Sequence, residues 1–371
     1  MNYIITKFKK FRYIYYVYRE IVKERDERRK LWKDAVIRFD EGTAKHGSLI
    51  EYKRALYRQR FLYEEYDAYK LWNMDDYRWN EFISLREMHC IYRKTVQVNV
   101  GQCFIDKVLG LDTFKRYVHR KWVNPENMTF DAFKEFVLSM KCIAKPRYGT
   151  QGQDVFLIKN KDDSSLKLLY QFCCENSFII EEYLRACKEI EEFHPSSLNT
   201  VRVMTMSNSK TNKVEVLDAE LRMGVHDSVV DNAHQGGVLA SIDVETGMLK
   251  RNGVDTFGNE YVTHPDSGKV IKGFVIPQWN EIVRVCKEAS FVVPETIFAG
   301  WDICVRQDGE IEIIEVNAFP VIIGLQTSSQ RGLKPRLKEV GERVLGYNPL
   351  KLISVWRKSA VRFEGKYGHY F

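Results

Sequence analysis

The sequence predicts an α+β protein in which a helical N-terminal region precedes a larger part built from helices and antiparallel strands. Residues 1–95 contain no proline and only two glycines, Gly42 and Gly47, and their long charged and aromatic runs are typical of helices. From Val96 onward, short apolar runs alternate with polar turns. The runs 199–206 and 214–223, joined by a polar loop, indicate an antiparallel pair of strands.

Further elements follow from the same patterns. Helices are predicted at 104–117, 129–140, 278–289 and 331–345, strands at 142–144, 177–181 and 238–243, and a long polar loop at 249–273. A loop of this length in a compact domain is typically functional or mobile.

The stretch 300–320, GWDICVRQDGEIEIIEVNAFP, predicts a hairpin around which the rest of the chain is organised. Asp308 and Gly309 between its strands favour a two-residue type I′ turn, whose central residues both need positive φ. A turn of that length places Asp302 directly opposite Glu315. Two carboxylates in this position repel each other unless a cation lies between them.

The same register places Cys304 opposite Ile313. Because side chains alternate along a strand, Ile311, Ile313, Glu315 and Asn317 are predicted to share one face. That face changes from apolar to acidic, and a carboxylate that continues an apolar face is costly to bury unless it is paired or bound to metal. Oxygen ligands of this kind suit Mg²⁺. The alternative is a surface hairpin with solvated acids.

Composition limits the class of protein. The 371 residues, 44% of them hydrophobic and 29% charged, describe a soluble globular chain of two or three subdomains. No apolar run is long enough for a transmembrane helix, and the N-terminus lacks the pattern of a signal peptide. The scattered cysteines form no CxxC pair, which argues against a disulfide framework or a zinc site. We therefore expect a cytoplasmic protein.

Positive charge is concentrated at the N-terminus, although the net charge of +7 is modest. Basic residues and tyrosines crowd the first 30 positions. A basic aromatic helix suits peripheral contact with the inner face of an anionic membrane. Alternatively, the aromatic side chains pack on the body of the protein while the Lys and Arg side chains stay solvated. No nucleic-acid-binding motif accompanies the charge, so nucleic acid is not an expected partner.

A glycine-containing loop, KPRYGTQGQD, follows the strand at 142–144. Gly149 and Gly152 allow backbone N–H groups to approach an anion, and Lys145 adds a point charge beside them. The loop is not a Walker A motif. Taken alone, it also fits a plain polar hairpin.

Arg202 and Arg222 lie inside the strands 199–206 and 214–223. Interior arginines of this kind either form salt bridges on a solvated face or aim their guanidinium groups at a phosphate or carboxylate. The sequence leaves both interpretations open.

Taken together, the motifs resemble the ATP-grasp superfamily: a lysine followed by a glycine loop, an acidic strand end, and an acid followed by Glu-x-Asn on the partner strand. More narrowly, the chain resembles the sugar-transfer-associated ATP-grasp family of polysaccharide gene clusters over about 96–345. The segments that carry this resemblance are Asn199–Val203, Val230–Asn232, Gly236-Gly237, His264-Pro265, Pro277–Trp279 and Gly300–Asp302.

The resemblance implies an ATP-grasp fold with two α+β subdomains clasping ATP. The boundaries we predict are a helical basic region at 1–95, a small subdomain with a phosphate-binding lid at 96–184, a large subdomain with the metal site at 185–345, and a basic tail at 346–371.

The resemblance also implies roles for individual residues, with ATP and Mg²⁺ as cofactors. The phosphates are assigned to Lys145, Lys107 and the lid residues Gly149, Thr150, Gln151, Gly152 and Gln153. The adenine is assigned to Glu181, Glu182, Tyr183 and Leu184, and the ribose to Glu189. The metal is assigned to Asp302, Glu315 and Asn317. Arg202, Arg222 and Lys145 are the candidate catalytic residues, and the two arginines would neutralise the transferred phosphoryl group.

The activity implied is an ADP-forming ligase that activates a carboxylate as an acyl phosphate and joins it to an amine, with sugar-linked substrates. Ligases of the superfamily often begin with a Rossmann-like domain, and here a basic helical region stands in its place. Two alternatives therefore remain: a kinase acting on a sugar hydroxyl, and a non-catalytic nucleotide-binding scaffold at the membrane.

Overall fold

A computed structural model of the protein describes residues 26–44, 46–95, 102–149, 154–226, 228, 236–256 and 258–358. The chain divides into two compact units. One contains the residues before Val96 and those from Gln330 onward, and the other is Val96–Ser329.

The first unit is helical, which confirms the prediction for residues 26–95. Its helices are α1 (26–40), α2 (Leu49–Arg54), α3 (Tyr63–Ala68), α4 (Asp76–Trp79) and α5 (Leu85–Thr95), with a π-helical turn at Ala55–Gln59 and a 3₁₀ turn at Leu71–Asn73. Ser48 and Glu51 cap α2 reciprocally and so satisfy backbone donors at its first turn. The fully buried rings of Tyr52, Tyr66 and Tyr69 form much of the core.

The second unit contains two antiparallel sheets. The smaller has the strand order β1-β4-β2-β3. Its strands are β1 (Trp122–Val123), β2 (Cys142–Pro146), β3 (Phe156–Leu157) and β4 (Phe178–Glu182), and the helices of this part are α6 (Lys107–Thr113), α7 (Phe130–Ser139) and α8 (Asp163–Glu175). Short 3₁₀ turns lie at Lys115–Tyr117 and Pro125–Asn127. Phe133, Val137, Leu166 and Cys173 from the helices pack on Ile180 of the sheet.

The larger sheet has the strand order β11-β10-β5-β6-β7-β8-β9. Its strands are β5 (Thr200–Asn208), β6 (Lys213–Met223), β7 (Val238–Ser241), β8 (Gly253–Val254), β9 (Glu260–Tyr261), β10 (Phe298–Val305) and β11 (Ile311–Asn317). The helices in this part are α9 (Lys188–Glu191), α10 (Trp279–Ala289) and α11 (Ile323–Ser329). Val201, Leu221, Trp301 and Ile303 point into its hydrophobic core. Residues that alternate with these therefore lie on the opposite face.

The predicted strands and helices of this unit are confirmed, but two expectations are wrong. The stretch 249–273 is not a simple loop, because β8 and β9 extend the large sheet and Thr263 pairs with Val270. Helix α11 was not predicted. Its sequence, IGLQTSS, has weak helix propensity, so the helix depends on tertiary packing, in which Leu325 is buried and Ser328 Oγ donates to Glu220 on β6.

The turn between β10 and β11 differs from the type I′ prediction. Gly309 has φ +87°, but Asp308 is not among the described residues with positive φ. Arg306 N donates to Glu310 O at 2.9 Å, and Gly309 N donates to Arg306 O at 3.0 Å. The loop thus has three residues and ends with a left-handed glycine, the second common hairpin geometry.

The predicted pairing of Asp302 with Glu315 is confirmed, but the pairing of Cys304 with Ile313 is wrong. The three-residue loop displaces the pairs nearer the turn, so that Ile303 pairs with Ile313 and Cys304 with Glu312, and a β-bulge then restores the predicted register at Asp302. Ile314 is the extra residue on β11. Ile311 and Ile313 consequently belong to the core, whereas Glu315 shares the face of Asp302, and the prediction that these side chains share one face fails.

The C-terminal part of the first unit contains α12 (Lys334–Val344), which confirms the last predicted helix, and a 3₁₀ segment at Pro349–Lys358. Leu337, Val340 and Val344 give α12 its buried face. Across the described ranges, no helix has the length and apolar character needed to cross a membrane.

Candidate functional site

A row of charged side chains crosses the large sheet on the face opposite its hydrophobic core. Asp302 on β10 lies between Glu315 on β11 and Arg202 on β5, and Arg202 in turn lies opposite Glu220 on β6. Residues directly across paired strands are close neighbours. The sheet register therefore sets the spacing of this charged row.

Asp302 is held by two guanidinium groups. Arg202 donates from Nε to Oδ1 at 2.5 Å and from Nη2 to Oδ2 at 2.6 Å, a bidentate pair in which both residues are buried. Arg222 Nη1 lies 3.6 Å from Oδ1. Burial alone would raise the pKa of Asp302, but the charges of Arg202 and Arg222 hold it below its usual range. Asp302 is therefore anionic at neutral pH.

The two arginines differ in how much of their donor capacity is engaged inside the protein. The Arg202 side chain is 7% exposed and binds both carboxylate oxygens of Asp302, whereas the Arg222 side chain is 19% exposed. Arg222 also donates from Nε to Glu220 at 3.0 Å, and Ser328 Oγ donates to the other oxygen of Glu220 at 3.3 Å. Arg222 is thus the arginine with surface available to an incoming anion.

Glu315 is in a different state from its partner Asp302. No hydrogen-bond donor or ion-pair partner contacts its carboxylate within the part of the chain that the structure describes. Burial raises the pKa of Glu315, Lys107 lowers it, and the charge of Asp302 raises it further. Its negative charge is therefore the least compensated of the charged row.

Lys145 and Glu181 connect the small sheet to this region. Lys145 Nζ on β2 lies 2.5 Å from Glu181 Oε2 on β4, and Arg120 Nε donates to the same oxygen at 2.9 Å. Burial opposes ionisation of Glu181, but Arg120 and then Lys145 lower its pKa to about 2. The predicted adenine acceptor thus has its carboxylate engaged by two cations.

Arg120 and Glu312, neither of which was predicted from sequence, belong to the same ion-pair network as Glu181. Arg120 Nη1 lies 2.6 Å from Glu312 Oε1, and the side chains of Arg120 and Glu312 are 2% and 0% exposed. The available signal was a charged residue within the apolar run IEIIEV, but unbroken alternation along β11 assigned Glu312 to the face away from the predicted site. Glu220 was missed in the same way, between Ala219 and Leu221.

The base of the predicted phosphate loop is anchored by Asp106. Arg147 donates to both carboxylate oxygens of Asp106, at 2.8 and 2.7 Å. Lys107 Nζ donates to Gly149 O at 2.8 Å. Burial lowers the pKa of Lys107, an effect that the charge of Glu315 opposes. Lys107 thus connects the start of the loop with the acidic row.

Four of the predicted lid residues, Thr150, Gln151, Gly152 and Gln153, lie outside the described residues. Gly149 is described and exposed.

The predicted nucleoside residues lie at and beyond the end of β4. The backbone N–H groups of Glu182 and Tyr183 donate to Lys121 O and Lys141 O, both at 2.8 Å. Leu184 is buried. Glu189 lies farther along on α9, where it is exposed and its carbonyl accepts from Lys269 Nζ at 2.6 Å.

The donor set around Asp302 fits Mg²⁺. Asp302 and Glu315 present facing carboxylates, and Asn317, at the end of β11 opposite Gly300, adds an amide oxygen. Mg²⁺ is usually held by one or two carboxylates together with substrate phosphates. Within the described ranges, no group of three or more His, Cys, Asp or Glu side chains is arranged to hold a metal ion, so Mg²⁺ here would need substrate phosphates to complete its shell.

The model of a family described as sugar-transfer associated ATP-grasp matches residues 100–342. No curated protein sequence matches the chain. Among solved structures, it is similar to the ATP-grasp ligase PsnB in complex with minimal precursor, Mg and ADP, with 14% identity, a TM-score of 0.42, and coverage of 69% of this chain and 62% of that chain.

Two further solved structures are similar. Biotin carboxylase from Campylobacter jejuni has 11% identity and a TM-score of 0.42, over 73% of this chain and 50% of that chain. N5-carboxyaminoimidazole ribonucleotide synthetase from Thermotoga maritima has 12% identity and a TM-score of 0.34, over 64% and 49%. The chain therefore spans less than two thirds of the length of these solved proteins.

Proposed function

Since this chain belongs to the sugar-transfer associated ATP-grasp family, we propose that it is an ATP- and Mg²⁺-dependent ligase that joins a carboxylate to an amine. The observation that carries the proposal is the charged row itself. Asp302 and Glu315 face each other beside Arg202 and Arg222, and Lys107 and Lys145 lie near Glu315. Facing acids next to arginines and lysines suit a metal–nucleotide complex and the charge of a transferred phosphoryl group.

The reaction proposed has two steps. A carboxylate oxygen of the substrate attacks the γ-phosphorus of ATP, and ADP leaves to give an acyl phosphate. The amine nitrogen then attacks the acyl carbon, inorganic phosphate leaves, and the nitrogen loses a proton as the amide forms. Neither step needs a protein nucleophile, so positioning and charge stabilisation supply the catalysis.

The chain's own residues divide this work. Lys145 and Lys107 bind phosphate oxygens, with the lid Gly149–Gln153 closing over them, and the segment Glu181–Leu184 meets the adenine. Glu189 is the proposed partner of the ribose. Asp302, Glu315 and Asn317 would hold Mg²⁺, which would supply positive charge to offset that of the phosphates.

Arg222 is the better candidate to meet the phosphoryl group directly, because Arg202 is committed to Asp302. Arg202 then contributes by keeping Asp302 ionised and fixed in orientation. Both arginines therefore remain candidate catalytic residues, Arg222 through the phosphoryl group and Arg202 through Asp302.

The carboxylate and amine are proposed to be carried by sugar-linked or other cell-surface precursors, for which the description of the family gives the only support. The test uses ATP, Mg²⁺, hydroxylamine and a uronic-acid precursor. An acyl phosphate is trapped as a hydroxamate with release of ADP, and omission of ATP abolishes both products. A phosphorylated sugar without hydroxamate would contradict the ligase and support a kinase, whereas nucleotide binding without either product would support a scaffold.

A further inference from the structure

Arg120, which lies between the 3₁₀ turn Lys115–Tyr117 and β1, uses every nitrogen of its guanidinium group inside the protein. Nε and Nη2 donate to the two oxygens of Glu181, at 2.9 and 3.5 Å. Nη1 donates to Glu312 Oε1 at 2.6 Å and to Ile313 O at 2.8 Å, and Nη2 also donates to Ile314 O at 3.0 Å. Only the planar fork of an arginine can make this set, since a lysine has three donors on one nitrogen.

The two carbonyls that Arg120 binds belong to the β-bulge of β11. In a regular strand, successive carbonyls point to opposite edges, so one side chain cannot bind both. Here Ile313 O and Ile314 O both meet one guanidinium group, at the point where Ile314 is inserted between the pairs Ile303–Ile313 and Asp302–Glu315. Arg120 thus binds the extra residue of the bulge and its neighbour.

The bulge determines which way Glu315 points. Ile311 and Ile313 are buried in the core of the large sheet. If β11 continued from them as a regular strand, with Ile314 paired in the ladder and no bulge, alternation would turn Glu315 into that core and away from the face of Asp302. Insertion of Ile314 reverses the alternation, so that the core isoleucines and the facing acids are both accommodated.

The backbone beside Arg120 strengthens the same link. His119 N donates to Glu312 Oε2 at 2.8 Å, and the pairing of Glu312 with Cys304 places it on the side of β11 that Glu315 also uses. β11 is the edge strand of the large sheet, and edge strands leave backbone groups unpaired unless something covers them. Arg120 covers this edge at the bulge.

We propose that Arg120 is a positioning residue that holds the β11 bulge and thereby keeps Glu315 facing Asp302, so that the proposed metal ligands are in place. The proposal rests on the proposed function, because it concerns the metal ligands of that site. The same guanidinium group binds Glu181, which also accepts from Lys145. Arg120 therefore connects Lys145, the proposed phosphate-binding lysine, to β11, which carries Glu315.

The test compares Arg120→Lys with the parent by calorimetric titration of ADP, with Mg²⁺ and with EDTA. The quantity measured is the factor by which Mg²⁺ increases ADP affinity. We expect Arg120→Lys to reduce that factor by about 10- to 100-fold, the typical cost of losing a group that orients a metal ligand. Affinity for metal-free ADP should fall much less, a split that general destabilisation would not produce.

Arg306→Lys is the matched control. Arg306 Nη1 lies 3.5 Å from Glu312 Oε2, so it contacts the same carboxylate, and its other ion pair is to Asp308 in the turn. It should retain the parental Mg²⁺ factor.

If Arg120→Lys does not fold, the double variant Arg120→Met/Glu312→Gln replaces it, because neutralising both partners avoids an unpaired buried charge and Glu181 keeps Lys145. It should show the same loss of the Mg²⁺ factor. A folded variant of either kind that retains the parental factor would overturn the proposal. If neither folds, Arg120 is a folding residue and the proposal is equally wrong. A parent with no Mg²⁺ effect at all would instead refute the proposed function.

Discussion

Asp302 and Glu315 lie directly opposite each other on β10 and β11, but their charges are compensated differently. Asp302 accepts two short hydrogen bonds from Arg202, and its pKa lies below the usual range. Glu315 has a raised pKa, for which burial and the charge of Asp302 are responsible. A divalent cation between them would remove this repulsion, which supports the proposal that the two acids bind Mg²⁺.

Glu315→Gln should weaken Mg²⁺-dependent nucleotide binding and leave the fold intact. The substitution removes one anionic ligand and also relieves the repulsion by Asp302, so stability should not fall. Because losing a group that only orients a metal ligand typically costs about 10- to 100-fold, we expect loss of a ligand to lower the affinity of Mg-ADP by at least this factor, measured by calorimetry. Glu310→Gln, at an exposed position just before β11, is the control. Equal Mg-ADP affinity in Glu315→Gln and in the parent would refute the metal assignment.

Lys145→Ala should remove most of the nucleotide affinity without unfolding the small sheet. Glu181, its partner in this structure, keeps Arg120 after the substitution, so no buried carboxylate loses its last cation. A charge-assisted hydrogen bond contributes about 1.5–3 kcal/mol, which corresponds to roughly 10- to 100-fold in affinity. Lys134→Ala is the control. It removes an ion pair between α7 and exposed Asp163 of α8, two helices that accompany the small sheet. Unchanged ADP affinity in Lys145→Ala would exclude a phosphate contact.

Arg202→Met and Arg222→Met should separate stability from turnover. Arg202→Met leaves the buried carboxylate of Asp302 without its bidentate partner and should cost about 3–5 kcal/mol in the free energy of unfolding. Arg222 is more exposed, and its loss should cost less stability but lower kcat of the hydroxamate assay. Urea unfolding and steady-state kinetics check the two effects. Equal effects of both variants on stability and kcat would contradict this division.

Much of the architecture could be predicted because local patterns and tertiary packing agree. The strands that carry Arg202 and Arg222, and the pairing of Asp302 with Glu315, follow from apolar alternation and from a short hairpin loop. The loop takes one residue more from β10 than the Asp-Gly pair suggested, and the bulge adds one residue to β11, so the two shifts cancel beyond the bulge. The predicted opposition of Asp302 and Glu315 therefore holds, whereas the pairs nearer the turn are displaced.

The rest depends on contacts between residues far apart in sequence. Arg120 meets Glu312 across 192 positions and binds the carbonyls of a bulge that no local pattern marks. Helix α11 forms from residues with weak helix propensity because distant contacts hold it, including the hydrogen bond from Ser328 Oγ to Glu220 and the burial of Leu325. The only local signal for the first feature is a charged residue within the apolar run IEIIEV, and the second has none, so propensity and alternation alone miss both.

Removal of residues 1–25 should reduce binding to anionic vesicles and leave Mg-ADP affinity unchanged. These residues carry much of the basic and aromatic segment and lie outside the described part of the chain, so membrane contact remains a prediction from sequence. Truncation should stop before Asp26, because α1 buries Ala35 and pairs Arg38 with Glu64 at 2.9 Å. Each basic residue near anionic lipid contributes about 1 kcal/mol. Vesicle co-sedimentation checks the prediction, and equal binding of both proteins would refute it.

Glu65 should make the stability of the helical unit depend on pH. Its carboxylate is fully buried and accepts from Leu62 N at 2.8 Å and from Leu85 N at 2.6 Å, at the first turns of α3 and α5. Burial raises the pKa of Glu65 from 4.5 to about 7, against the opposing effect of these backbone donors. The folded state thus binds this proton more tightly than the unfolded chain does.

The sign of the effect follows from that difference. Below the unfolded pKa both states are protonated and the contribution of Glu65 to stability is fully present; as the pH rises through about 7, the folded state must also give up the proton and the contribution is lost. The shift corresponds to about 3 kcal/mol. Glu65→Gln, which carries no titratable proton, should be less sensitive to pH than the parent by about this amount. Urea unfolding at pH 5 and pH 8, followed by tryptophan fluorescence, measures the difference, and a parent-to-variant gap that stays constant between the two pH values would show that Glu65 does not titrate as described.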